Sequence, residues 1–560
     1  MHLRSLCILA VCVTGLSLSS TSAQAQLFDK QKAYTRGDSL RGDMRPERSC
    51  YDVTAYDLTV EVLIPTQSIS GVNVISYKAL EDFTRLQIDL FPELQIQAVQ
   101  WQGKNLTFER EYGAVFITFP EKIKAGTAGS FSVQYGGTPR VAKNAPWDGG
   151  ISWAKDAQGN PWVAVSCQGL GASVWWPNKD HLSDEPERMR ITIIAPDQLM
   201  AVANGDMVEE KALPNNRRST TWEVTYPINS YNVTMNIGKY THFSDVYTNI
   251  NGVSLPLDYY VLTYNIDKAK KQFEQVKPML ACYEQYLGAY PFVNDGFALV
   301  ETPYLGMEHQ GAIAYGNGYT NGYLGFDYSG IGLPFDYIII HETGHEWWGN
   351  HVSMQDLADM WIHEGFCTYA EAIYVECLYG KATAVEYINH MKTLVAFDKP
   401  IIGDYRVNNE GSGDMYHKGA VFLHTLRTLT DNDALWWSII KGIQQEFGMQ
   451  TVTSAQIEAY MSKKAGKDFS KYFDQYLRHT TLPQFEYKLT DTPDGLQMEY
   501  RWVADVANFD MPLRYADAKG RLVWFQPTSD WKTTVIPGLT MKIFRLDTQN
   551  LYFDQRIVRK

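Results

Sequence analysis

The sequence lacks two features that would direct it to nucleic acids or into a membrane. Its 50 lysines and arginines are outnumbered by 63 aspartates and glutamates, so the formal net charge is -13 at pH 7. This balance argues against a nucleic-acid partner, whose phosphates are also negative. No later stretch reaches about eighteen unbroken apolar residues, the length that a membrane-spanning helix needs. We therefore expect no nucleic-acid partner and no stable membrane insertion.

Cysteine is also scarce. Of seven cysteines in 560 residues, two lie in the first twelve positions, and the other five include no C-x-x-C pair. A disulfide framework uses an even and closely spaced set of cysteines, which this chain does not have. We expect mostly buried thiols at Cys50, Cys167, Cys282, Cys367 and Cys377.

The N-terminus has the three parts of a secretory signal peptide. A short basic segment ends at Arg4, residues 6–18 are apolar, and Ala23-Gln24-Ala25 forms an A-x-A cleavage site. This pattern predicts that residues 1–25 are removed on export and that the mature chain begins at Gln26. The protein would then be periplasmic or secreted.

The rest of the chain divides into three predicted domains of a multidomain α+β protein. Residues 57–63 and 85–90 alternate with period two, which is typical of strands, and residues 266–287 have helix-spaced apolar positions with Pro278 as a kink. Strand patterns return after Pro483. We predict an N-terminal antiparallel β domain over 26–255, a mostly α-helical domain over 256–482 and a small β-sandwich over 483–560.

The most informative segment is an H-E-x-x-H motif formed by residues 341–345. On a helix running from near Pro334 to Gly349, His341 and His345 lie one turn apart on one face and can hold one metal ion. Glu342 points about 100° away, so it is poorly placed as a ligand of that ion. It can instead reach a water at the open coordination position.

A third ligand is available in Glu364, which follows the motif after eighteen residues. Apolar spacing predicts a second helix over residues 361–378, ended by Gly380, that could return Glu364 to the two histidines. Two histidines, one glutamate and a free fourth position are typical of a catalytic zinc, one per chain. The alternative is a pair of core histidines satisfied by hydrogen bonds, but the spacing of all three residues favours the metal. Glu371, two turns after Glu364, would orient a ligand histidine or form a surface ion pair.

The motifs together resemble the gluzincin aminopeptidases, the family of aminopeptidase N and leukotriene hydrolase. Besides the zinc signature, residues 56–61 with 68–71 are similar to the family's opening strands, residues 305–309 to its G-x-M-E-N motif, and Tyr416-His-Lys-Gly419 to its Y-x-K-G element. The resemblance covers most of the mature chain. It implies a thermolysin-like catalytic domain in a short member that lacks the family's large helical C-terminal domain.

The resemblance also implies roles for residues around the zinc. Glu308, within the substrate-binding motif that includes Gly306 and Met307, would bind the α-ammonium of the substrate, and Gln168 would be the second amine contact. Tyr416 would donate to the oxyanion. Four positions depart from the family pattern: Leu305, His309, Ser173 and Asn178.

These roles predict a zinc metallo-aminopeptidase that removes the N-terminal residue of peptides with a free N-terminus. A zinc-activated water, with Glu342 as its base, would attack the first peptide carbonyl. The alternatives are a lipid epoxide hydrolase of the leukotriene hydrolase type and a catalytically silent peptide-binding relative. Glu308 counts against an endopeptidase. The sequence does not specify the oligomeric state.

Overall fold

The computed structural model describes residues 34–558, and the predicted leader over residues 1–25 lies outside them. From Thr35 onward the described residues form one compact unit. Within residues 34–558, no helix combines the length and apolar character needed to cross a membrane. As expected, the five cysteines of this part are free thiols, four of them buried.

Three sheets follow two short helices at the start of the described chain. In β1 (Tyr51–Leu63), alternate residues such as Leu58, Val60 and Val62 are fully buried, which is the period-two pattern that the sequence predicts. The pairings in these sheets are antiparallel except that β1 pairs in parallel with β11 (Arg188–Pro196). The other elements are α1 (Arg36–Gly42), α2 (Pro46–Ser49), β2 (Ser68–Ala79), β3 (Phe83–Asp89), β4 (Leu94–Trp101), β5 (Lys104–Asn105), β6 (Thr107–Glu111), β7 (Ala114–Ile123), β8 (Ala128–Gly137), β9 (Gly150–Lys155), β10 (Pro161–Ser166), β12 (Met200–Val202), β13 (Asp206–Leu213), β14 (Arg217–Val224) and β15 (Asn236–Gly238).

The catalytic region begins with a five-stranded sheet, before the predicted domain boundary between residues 255 and 256. β16 (Tyr240–Thr248) pairs along its length with β17 (Ser254–Leu262), so the boundary falls inside a hairpin. The sheet order is β16-β17-β18-β20-β19, which ties residues 240–262 to the catalytic region. The remaining strands are β18 (Phe297–Glu301), β19 (Gly306–Met307) and β20 (Ile313–Tyr315).

The predicted helix over residues 266–287 is broken into two. A single 3-10 turn (Phe273–Gln275) separates α3 (Ile266–Gln272) from α4 (Val276–Leu287), and Pro278 stands in the first turn of α4. A proline is tolerated there because the first-turn N–H groups have no partner within the helix.

The remaining helices surround α6 (Trp361–Tyr379), which packs against α4, α5, α7 and α8. α6 ends at Gly380 (φ 90°), as the sequence predicts, and Thr453 and Gln456 form a capping box at the start of α10. The other elements are α5 (Tyr337–Gly344), β21 (Val352–Met354), α7 (Lys381–Met391), α8 (His417–Thr430), α9 (Asp433–Phe447), β22 (Gln450–Val452), α10 (Ser454–Ala465) and α11 (Ser470–Arg478).

The C-terminal strands form a two-layer β unit on this helical region. The rings of Phe485 and Tyr500 in the four-stranded sheet contact Phe525 in a two-stranded one, with centroids 5.8 and 5.2 Å apart. The buried residues of this unit and those of the helices belong to one hydrophobic core. The strands are β23 (Gln484–Thr492), β24 (Gly495–Val503), β25 (Leu513–Ala516), β26 (Leu522–Phe525), β27 (Lys532–Ile536) and β28 (Asp554–Ile557).

Candidate active site

The H-E-x-x-H motif lies on α5, a helix shorter than the sequence predicts. Its N-cap is Asp336 rather than Pro334, and the Asp336 side chain accepts hydrogen bonds from the N–H groups of Ile338 and Ile339 at 3.0 and 3.3 Å. His345 is the C-cap, and tight turns follow it instead of a continued helix to Gly349. Every residue of α5 is buried, so the motif is held by the surrounding core.

Three predicted ligand atoms converge on one point. The Nε2 atoms of His341 and His345 are 3.3 Å apart, and Glu364 Oε2 lies 3.5 Å from the first and 3.4 Å from the second. A tetrahedral zinc with bonds of about 2.0–2.1 Å has edges of about 3.3 Å between its ligand atoms. The triangle therefore has the size of one face of a zinc tetrahedron, which leaves a fourth position free.

The hydrogen bonds around this triangle fit a cation at its centre. Glu364 Oε2 is buried and has no hydrogen-bond partner, whereas a buried carboxylate oxygen needs a donor or a metal. Burial raises the pKa of Glu364, but the neighbouring imidazoles His345 and His341 more than offset this and lower it. The site thus favours the ionised carboxylate, the form that binds metal.

The outer nitrogens of both imidazoles are occupied, which directs their Nε2 atoms inward. His341 Nδ1 donates to Glu371 Oε1 at 2.6 Å, and His345 Nδ1 donates to the carbonyl of Trp348 at 2.9 Å. The other oxygen of Glu371 accepts from Tyr387 at 2.5 Å. Glu371 thus contacts His341, one of the two predicted ligand histidines, and does not form a surface ion pair.

Cys367 is the competing thiol near the two histidines. Its sulfur lies within 4.8 Å of one nitrogen of each ring. The S–H group donates instead to the backbone carbonyl of His341 at 2.8 Å. Glu364 Oε2, which has no hydrogen-bond partner among residues 34–558, therefore fits a third ligand better than the Cys367 thiol does.

Glu342 stands beside the triangle without belonging to it. A Cβ on Gly306 would lie 2.5 Å from Glu342 Oε1, so a glycine at position 306 makes room for this carboxylate. Burial raises the pKa of Glu342 to about 7, while His341 and His345 oppose the shift. No residue among 34–558 donates a hydrogen bond to this carboxylate, which is thus free to bind a water. Gly306 and Met307 form the edge strand β19, and both residues are buried.

Glu308 and Gln168 meet at the junction of the N-terminal and catalytic regions. Gln168 Nε2 donates to Glu308 Oε2 at 2.8 Å and to Glu364 Oε1 at 3.0 Å, so it links the predicted amine anchor to a ligand. Glu308 Oε2 is 3.5 Å from His345 Nε2. Burial raises the pKa of Glu308, but His345 and His363 more than offset this and lower it. Glu308 is thus an ionised carboxylate beside the metal position.

Tyr231 is a contact of Glu308 that the sequence did not reveal. Its hydroxyl donates to Glu308 Oε1 at 2.7 Å, and its ring stacks on His363. His363 accepts the N–H of Met354 at Nε2, which leaves Nδ1 facing Tyr231. No motif signals Tyr231, because its position depends on how the N-terminal sheets dock on the helices.

Tyr416 faces the site from the start of α8. Its ring stacks on His341 with centroids 6.1 Å apart, and burial with the charges of Glu364 and Glu308 raises its pKa well above the usual value. The phenol therefore stays protonated as a hydrogen-bond donor. Gly419 lies in α8, three residues after Tyr416. A Cβ on Gly419 would lie 3.1 Å from the Cα of Gly365 in α6, so the lack of a side chain at Gly419 lets the two helices approach closely.

Two family models and several known aminopeptidases match this chain. Residues 53–232 match the model of the peptidase M1 N-terminal domain, and residues 271–476 match that of the peptidase family M1 domain. Aminopeptidase 2 of Candida albicans is 19% identical, and the match covers 85% of this chain and 53% of that protein. Aminopeptidase N of Escherichia coli is 23% identical, and the match covers 46% of this chain and 31% of that protein. The chain thus spans about half or less of the length of these relatives.

A solved structure shares the fold. It is an M1 zinc metallopeptidase mutant from Deinococcus radiodurans bound to a Tyr-Ser-Ala substrate, with a TM-score of 0.65 and 20% identity. The similarity covers 80% of this chain and 98% of that one.

Proposed function

The chain belongs to the M1 peptidase family, and from this premise we propose that it is a zinc-dependent aminopeptidase acting on peptides with a free N-terminus. The observation that carries the proposal is the position of Glu308. This ionised carboxylate lies 3.5 Å from the inward nitrogen of His345, so the same small space has a metal position and an anchor for a positive charge. A peptide that places its α-ammonium on Glu308 brings its first carbonyl to the metal position.

His341, His345 and Glu364 would hold the zinc. When bound, zinc polarises the substrate carbonyl and makes water nucleophilic at neutral pH. Glu342 takes a proton from the attacking water and delivers it to the leaving amine. Tyr416 donates a hydrogen bond to the developing oxyanion. Gln168 already donates to Glu308 and Glu364, and its Oε1, which receives no hydrogen bond from residues 34–558, is available to the substrate ammonium.

Metal removal tests this proposal. We expect the purified protein to hydrolyse fluorogenic aminoacyl amides, to lose that activity when a chelator removes its metal, and to regain it with about one zinc per chain. Activity on these substrates that survives complete metal removal would contradict the proposal.

Two variants test whether Glu371 supports zinc binding through His341. Glu371→Gln should weaken zinc binding by about tenfold to a hundredfold, because the amide supports the His341 ring less well than a carboxylate. Tyr387→Phe removes only the outer hydrogen bond to Glu371 and should have a smaller effect. Competition with a chelator of known affinity measures both, and an unchanged zinc affinity in Glu371→Gln would contradict the role of Glu371.

We also propose that the protein is exported and acts in the periplasm or outside the cell. The proposal rests on the three-part pattern of residues 1–25. Mass spectrometry of the mature protein from the cell envelope or medium should find Gln26 as its first residue. An intact N-terminus on protein retained in the cytoplasm would argue against export.

A further inference from the structure

A fourth glutamate borders the amine anchor, from the segment that leads to Tyr416. Asn408 Nδ2 donates to the carbonyl of Gly169 at 3.3 Å, which joins this segment to the loop that carries Gln168. Glu410 Oε2 lies 3.7 Å from the position that a Cβ on Gly169 would take. Because Gly169 follows Gln168 directly, the Glu410 carboxylate lies against the loop that carries the second amine contact.

Glu410 interacts electrostatically with groups of the site. Burial raises the pKa of Glu410, the negative charge of Glu364 raises it further, and Lys399 opposes the shift. Glu410 in turn helps to raise the pKa of Tyr416. The Glu410 carboxylate therefore shares one electrostatic environment with the ligand triangle and Tyr416.

No side chain within residues 34–558 neutralises this carboxylate by direct contact. Glu410 takes part in none of the ion pairs of the described chain, and Lys399 Nζ reaches its backbone carbonyl, at 3.4 Å. The carboxylate is half-buried, and a charge in that environment is stabilised by a partner of opposite sign.

The substrate can supply the missing partner. Four glutamates belong to the site or lie next to it: Glu308, Glu342, Glu364 and Glu410. The zinc would bind Glu364, the attacking water would bind Glu342 and the α-ammonium would bind Glu308, which leaves Glu410 for a second cation. A lysine or arginine in the first position of a peptide has such a cation at the end of a long side chain.

We propose that Glu410 selects substrates whose first residue is lysine or arginine, by pairing with the side-chain cation. This inference rests on the proposed aminopeptidase function and names the substrate class of the same site. Glu410 acts here as a specificity residue and takes no part in the bond-breaking step.

Matched substrates test the inference on the full-length zinc enzyme. Arginyl and citrullinyl fluorogenic amides have nearly the same shape, but only the arginyl side chain is charged. We expect wild type to prefer the arginyl amide by about tenfold or more in kcat/KM at low salt, mostly through KM, and the preference should decrease with added salt. Glu410→Gln should bring the ratio near one, whereas Glu386→Gln, at an exposed glutamate on α7, should keep the wild-type ratio.

The outcomes separate this inference from the proposed function. Equal wild-type kcat/KM for the two amides would overturn the role of Glu410. So would a Glu410→Gln variant that slows both amides by the same factor, because that result would make Glu410 a contact of the α-ammonium. If wild type cleaves neither these amides nor the leucyl and alanyl amides, the aminopeptidase function itself is wrong, and this inference with it.

Discussion

Replacing Glu342 with glutamine is expected to lower kcat by about 10²- to 10⁴-fold while the protein keeps its zinc. Glutamine has the same size and fits the space that Gly306 leaves, but its amide cannot accept the proton of the attacking water. Glu342 is outside the ligand triangle, so metal binding should be unchanged. Single-turnover kinetics together with elemental analysis of the same preparation measure both quantities.

A second buried glutamate provides the control for this variant. Glu346 accepts hydrogen bonds from Gly311 N–H and Tyr290, and burial raises its pKa to about 8. It is therefore mostly protonated at pH 7, and Glu346→Gln replaces a neutral acid with a neutral amide. We expect near-normal kcat from Glu346→Gln. A near-normal kcat from Glu342→Gln would instead show that another group is the base.

Replacing Glu308 with alanine is expected to lower kcat/KM for unblocked peptides by about a hundredfold or more. The variant loses a partly desolvated ion pair with the α-ammonium and leaves that ammonium without its anchor. It should not gain activity on N-acetylated peptides, because removing the carboxylate creates no new contact for an amide.

Tyr231→Phe is the matched control for the amine anchor. It removes a hydrogen bond to Glu308 Oε1 but keeps the charge that binds the ammonium. We expect a loss in kcat/KM much smaller than that of Glu308→Ala. If both variants lose activity equally, Glu308 serves to position its neighbours rather than to bind the substrate. Steady-state kinetics on one unblocked peptide are sufficient for the comparison.

Features with a short-range cause could be predicted from the sequence. The end of α6 needs a glycine with positive φ, and the start of α10 needs the Thr453–Gln456 pair, so local residues are sufficient for both. The positions of Glu364 and Glu371 on one face of a helix follow from their spacing of seven residues. Family membership was predicted correctly because it rests on such local motifs.

Features that depend on long-range packing could not be predicted in the same way. The hairpin of β16 and β17 belongs to the catalytic sheet because β17 pairs with β18, a strand 35 residues further along the chain, and no local pattern shows this. Tyr231 contacts Glu308, and Glu410 lies near Gly169, only because the loops that carry them pack against distant segments. The early end of α5 likewise reflects the tight turns between His345 and Val352.

The central claim is that the enzyme recognises a free N-terminus beside its zinc, and one paired assay tests it most directly. Wild-type enzyme is given one peptide in two forms, with a free and with an N-acetylated N-terminus, and kcat/KM is measured for each. We expect the free form to be cleaved at least about a hundredfold more efficiently, with one residue released per cycle. Equal cleavage of the two forms would make the protein an endopeptidase and contradict the claim.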